Sequence, residues 1–130
     1  MKTANQRATF AYGKAQECVP QPWMVAILLK GAINHLEAAE RAFADGRRAD
    51  SMKRASKAIA ILQGLRDNLR PEVSRPLTTR LDQFYGTTIL QIAHLTRSGF
   101  DAKACAGVTA NIQRVQDAWA AGENKGSGKD

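Results

Sequence analysis

Cysteine is scarce in this chain. Of 130 residues only Cys18 and Cys105 are thiols, far apart and in no Cys-x-x-Cys spacing. That excludes a disulfide framework and a thiolate zinc site, and leaves both as reduced packing residues. Proline is confined to positions 20, 22, 71 and 76, where it punctuates segments instead of interrupting them. β-Branched runs and strand alternation are missing while alanine is abundant, so helix is favoured throughout. Uniformly apolar stretches are missing too. The N-terminus lacks the compact apolar run of a signal peptide, and the longest apolar-periodic segment carries Lys30, Asn34, His35 and Glu37. No leader or membrane span is expected, and the chain reads as soluble and cytoplasmic. Acidic residues are outnumbered, with 12 Asp and Glu against 19 Lys and Arg, for a formal charge of +7. Such a balance permits nucleic acid, an anionic membrane surface or an acidic protein as partner and specifies none, a solvated basic surface being the default.

What is present is helical periodicity. With 44% hydrophobic and 24% charged residues, the chain reads as one globular domain able to bury roughly two-thirds of its unfolded surface. The central element is a helix over 21–43, in which Val25, Leu29, Ala32, Leu36, Ala39 and Phe43 recur at steps of four and three. Trp23, Met24, Ile27, Leu28 and Ile33 lie beside that stripe. This is more apolar surface than one neighbour covers, so either several helices surround it or part is kept for a partner. Gly31 within it suits close helix packing.

A second helix over 47–69 sets Met52, Ala55, Ile59, Leu62 and Leu69 on one stripe, with Ala58, Ile61 and Leu65 beside it. A third, N-capped by Ser74, runs to Ser98 with Leu77, Leu81, Phe84, Tyr85, Ile89, Ile92 and Leu95, and Gly99 closes it. The last, capped by Asp101, places Ala104, Val108, Ile112, Val115 and Trp119 at helical spacing. Short connections at Asp45-Gly46 and over 68–76 favour antiparallel neighbours, hence an all-α, antiparallel four-helix bundle. Residues 5–16 form a marginal helix, interrupted by Gly13, that docks loosely or detaches as a short N-terminal cap. The domain is expected to span 1–121, and the glycine-rich polar stretch 122–130 to be a disordered tail.

Chemistry-bearing motifs are absent. The Glu-x-x-His pairs of di-metal bundles do not occur, since Ala32 stands three before His35 and Gln91 three before His94. Glu37 and Glu40 are expected to pair with Arg41 on a wet face. No glycine-rich phosphate loop, nucleophile elbow or Cys–His arrangement appears. No catalytic residue, metal or cofactor is therefore assigned, and an enzyme is not expected. Arg47, Arg48, Lys53, Arg54 and Lys57 cluster at the start of the second helix and are placed to track phosphates. No aromatic side chain is interleaved with them as a stacking platform. A basic helical bundle that binds nucleic acid is the alternative function.

Several separated segments resemble, in order, the flagellar secretion chaperones of the FliS family. Tyr12 matches an early tyrosine in a short N-terminal segment. Pro22 opens the first long helix, and Leu28-Leu29-Lys30-Gly31-Ala32-Ile33 stands where the family has a Leu-Tyr-Asp-Gly-Ala-Leu run. Lys57-Ala58 with Ile61 and Leu65, then Leu81, Phe84, Tyr85 and Ile92, then Asp117-Ala118-Trp119 match later family segments. Lys30 replaces the usual acid, and Gly86-Thr87 replaces an Asp-Tyr pair. The resemblance implies a cytoplasmic chaperone that binds the disordered C-terminal segment of flagellin, blocks premature polymerisation and presents the client to components of the export gate. Leu28, Ile33, Ile61, Leu65 and Tyr85 are then candidate client contacts, with bundle core as the competing assignment for each. Phe10 and Tyr12 belong to a detachable cap over part of the groove. Trp119 is expected in the core.

Overall fold

The structure is a computed structural model that describes residues 22–128, with side chains for 23–120. It contains four helices: α1 (Pro22–Ala44), α2 (Arg48–Asp67), α3 (Arg75–Ser98) and α4 (Ala102–Gly128). Pro22 begins α1, where its missing N–H has no intrahelical partner to lose. Gly46, at φ 79°, ends that helix in a left-handed turn. The Gly46 N–H donates to the Phe43 carbonyl at 3.1 Å and the Arg47 N–H to the Ala42 carbonyl at 2.8 Å, the paired closure of a Schellman motif. Ser74 holds extended backbone at the N-cap of α3. Asp101 caps α4, its Oδ2 accepting the Ala104 N–H at 2.9 Å.

The helices pack as a ring. α1 lies against α2 and α4, α2 against α3, and α3 meets α4 only sparingly. The α1 stripe is the centre of the core, with Val25, Leu29, Ala32, Leu36 and Ala39 all buried and Phe43 packed against them at the end. Small residues set the α1–α2 distance. Ala32 and Ala39 face a buried surface that includes Ala55 and Ala58, and the buried Ser51 hydroxyl donates to the Ala39 carbonyl at 2.8 Å. Phe43 and Phe100 meet with ring centroids 6.1 Å apart and planes tilted by 56°, at the opposite end of α1 from Pro22. Gly99 sits beneath this pair at φ 104°, with room for a Cβ only 3.1 Å from Phe43 Cζ. Glycine is thus required there both by backbone conformation and by space.

The structure revises several sequence expectations. The buried stripe of α2 is Ser51, Ala55, Ala58, Leu62 and Leu65, while Met52 is exposed. At that close crossing a small side chain that bonds a carbonyl fits where methionine does not. In α4 the buried position is Cys105 and Ala104 is exposed. Gly31 is not needed for close approach, because a Cβ there would meet Ile61 Cδ1 at an ordinary 3.5 Å. The last helix does not stop at Ala121 but continues to Gly128. The 1–16 cap, with Phe10 and Tyr12, and also Cys18 lie outside the described residues. No helix among the described residues is long and apolar enough to cross a membrane.

Candidate functional site

The thin α3–α4 contact leaves a groove. Its wider part, about 490 Å³, is lined from α3 by Arg80, Gln83, Phe84, Thr87, Thr88 and Gln91 and from α4 by Asn111, Arg114 and Val115. A second part of about 400 Å³ continues along the same helices between Thr87, Leu90, Gln91, His94 and Leu95 and, opposite, Ala104 and Val108. Thr87 and Gln91 belong to both, so the two form one trough. From Arg80 to Leu95 it follows about 22 Å of helix, enough for four turns of a second helix. Leu90 projects from its edge at 70% exposure. The floor is apolar and the rim carries Arg80, Arg114 and amides, a surface suited to the apolar face of an amphipathic segment.

The neighbouring α2–α3 seam is closed differently. Arg66 Nε donates to Asp82 Oδ1 at 2.6 Å and its Nη2 to Oδ2 at 3.3 Å. The guanidinium lies over Gly86, where a Cβ would stand 3.2 Å from it. The pairing holds the Asp82 carboxyl below its ordinary range, chiefly through the hydrogen bond from Arg66. Groove and bridge thus stand on opposite sides of α3.

Few of the sequence-derived contacts reach an open surface. Ile33, Leu65 and Tyr85 are buried at 3%, 7% and 0% exposure, so they are core residues that a docked segment does not touch unless helices part. Leu28 and Ile61 are half-buried and packed on that core. Trp119 is buried, as expected. Part of the excess apolar surface of α1 does stay uncovered among the described residues: Trp23 and Ile27, one turn apart, are 51% and 60% exposed. None of the sequence-derived contacts lines the groove, and the most exposed apolar residue they missed there is Leu90. Its signal was there, as an apolar residue off the stripe formed by Tyr85, Thr88, Ile92 and Leu95.

Tyr85 and Cys105 are both held neutral. Burial pushes the Tyr85 phenol far above its ordinary value, and its hydroxyl has no hydrogen-bond partner among the described residues. Burial, followed by the charge of Glu40, pushes the Cys105 thiol up to about 11, while its Sγ lies 3.8 Å from the Leu36 carbonyl. Such a thiol is a packing group and a poor nucleophile. Glu40 therefore faces α4, and the expected ion pair of Glu37 or Glu40 with Arg41 does not form among the described residues. No cluster of metal-ligating side chains occurs among the described residues.

The basic cluster of α2 is split by the fold. Arg48 turns away to cover the Phe43 ring at 5.8 Å. Arg47, Lys53, Arg54 and Lys57 instead line a recess of about 360 Å³ on the α1–α2 seam together with Arg41. At its edge Arg54 Nη1 lies 3.1 Å from His35 Nδ1. His35 is held below its ordinary value by burial and then by the charges of Arg54 and Lys57. Neutral His35 accordingly accepts a hydrogen bond from Arg54.

A search of curated proteins finds no significant match. The family model described as flagellar protein FliS matches residues 4–125, which covers the first three helices, all but the last three residues of α4, and most of the segment before them. With a helical bundle of the expected order and a trough beside its weakest seam, the chain belongs to the FliS family of flagellar chaperones.

Proposed function

We propose that this protein is the cytoplasmic export chaperone of a flagellin, and that it binds the client's disordered C-terminal segment as an amphipathic helix in the α3–α4 trough. The observation that carries this reading is the trough itself, an apolar channel about four helical turns long beside the one sparing contact in the ring. Occupancy would bury Leu90, Val108 and Phe84 further and supply α3 and α4 with a neighbour that they lack among the described residues. Ordering a disordered client offsets about 2–5 kcal/mol of the gross interaction, which suits a complex that must release at export. A client held this way has its assembly-prone face covered, and no covalent chemistry is required. Leu28, Ile33, Ile61, Leu65 and Tyr85 then support the bundle that shapes the trough, and the 1–16 segment with Phe10 and Tyr12 acts as a detachable cap. Delivery would follow from contact of the loaded chaperone with export-gate components.

Calorimetry of the full chain with a flagellin C-terminal peptide, alongside an oligonucleotide, tests the reading. Binding of the peptide with little dependence on salt is expected. Heat with the oligonucleotide alone would overturn the client assignment. Peptide binding that Leu90→Glu and Ala104→Glu leave unchanged would place the client elsewhere on the bundle. Deleting residues 1–16 should alter affinity or association rate, and no change in either would remove the cap.

A further inference from the structure

In the ring order of the helices, the α1–α2 seam lies across the bundle from the α3–α4 trough. It is lined by charge, with Arg41 from α1 and Lys53, Arg54 and Lys57 from α2 around a recess of about 360 Å³. Arg47 at the recess edge is already committed, donating to Asp45 at 3.3 Å and Asp50 at 3.0 Å. The other four have no carboxylate within ion-pair distance among the described residues. Of the acids of α1, Glu40 lies beside Cys105 on the α4 side of the helix, and Glu37 makes no ion pair with Arg41 among the described residues. Four like charges held by two rigid helices, with the lining acid Asp50 already paired to Arg47, form a field that an incoming anion relieves. His35 senses that field from the edge of the recess, beside Arg54.

We propose that this recess is a docking site for an acidic helical protein segment carrying Asp or Glu at every third or fourth position. The spacing argument is geometric. Lys53 and Lys57 stand one turn apart on α2, and carboxylates at such helical steps lie roughly 5–6 Å apart, the same repeat. Arginine forks at 41 and 54 suit carboxylates in two-point contact. Nucleic acid is the poorer fit. Its binders neutralise longer runs of phosphates and stack bases on aromatic rings, whereas these cations span little more than one turn and no aromatic side chain lines the recess. Because recess and trough face opposite ways, an acidic partner and a client segment are held together without competition.

The experiment follows His35 by NMR in the full chain at low salt, with His94 of the trough as internal control. The probes are a Glu-rich helical peptide of about four turns, an oligonucleotide of equal charge, and inorganic phosphate. Saturating peptide should shift the His35 resonances and raise its pKa while leaving His94 unmoved. Lys53→Glu with Lys57→Glu, both exposed positions, should cut peptide affinity by about tenfold or more. An unmoved His35, or unchanged affinity in the double variant, overturns the proposal, as does tighter binding of the oligonucleotide than of the peptide. Phosphate binding as tightly as the peptide would also overturn it, leaving a small-anion site. The proposal does not rest on the trough: Leu90→Glu should leave the acidic peptide bound as before, so the two readings fail separately.

Discussion

Tyr85→Phe should stabilise this protein. Tyr85 is fully buried on α3, its ring 5.5 Å from that of Phe84, and its hydroxyl finds no partner among the described residues. Leaving such a group unpaired costs about 1–3 kcal/mol relative to its hydration in the unfolded chain. Phenylalanine keeps the ring and its packing, and loses only the few tenths of a kcal/mol of dispersion that one oxygen contributes. The expected net gain is about 1 kcal/mol, which for a domain of this size raises Tm by roughly 3–5 °C and the urea midpoint by about 0.5 M. Urea melts at neutral pH, with the slope compared between the two proteins, measure it.

The same melts carried into alkali provide an internal check. The folded phenol titrates well above its ordinary value of 10.0, so beyond that pH the unfolded chain releases a proton that the folded chain retains. Stability of the parent must then fall as pH rises past about 10, and the advantage of the variant must widen. Cys105, also raised, contributes equally to both proteins and cancels in the difference. A variant less stable than its parent at neutral pH would refute the reasoning, because the hydroxyl would then have been making a favourable bond.

Three further outcomes are expected. Gly99→Ala should destabilise by about 1–3 kcal/mol, read from urea midpoints, since it forces a side chain into φ 104° and against Phe43. Leu90→Glu should change stability by no more than about 0.5 kcal/mol, because the residue is largely exposed. If the client covers Leu90, the same variant should weaken peptide binding at least about tenfold by calorimetry, the loss of one buried leucine. Acid should act in two stages: neutral His35 contributes stability that is lost as pH falls below its ordinary 6.5, and Asp82 stability that is lost as pH falls below its ordinary 3.8. In melts against pH, His35→Gln should remove the first slope and Asp82→Asn the second, each leaving the other in place.

The sequence by itself determined the helices and their order, because proline and glycine punctuate the chain and the apolar residues between recur at helical steps. Local chemistry was sufficient for Pro22 opening α1, for the left-handed closures at Gly46 and Gly99, and for Asp101 capping α4. It also determined the centre of the core, since the α1 stripe from Val25 to Ala39 has one direction in which it can be covered. The family resemblance was legible for the same reason, in segments whose spacing follows those helices. The tertiary structure decided which neighbouring stripe turned inward. Met52 and Ala104 yielded to Ser51 and Cys105 because helix approach at a crossing selects size and a bonding partner, and periodicity tolerates a rotation of one residue. It also decided the site. Ile33, Leu65 and Tyr85 have the composition of a docking surface but are sealed by their neighbours. Leu90 and the trough exist because α3 and α4 barely meet, and the basic recess because Arg41 of α1 meets Lys53, Arg54 and Lys57 of α2 along their seam. Those are relations between elements distant in the chain, and no local pattern encodes them.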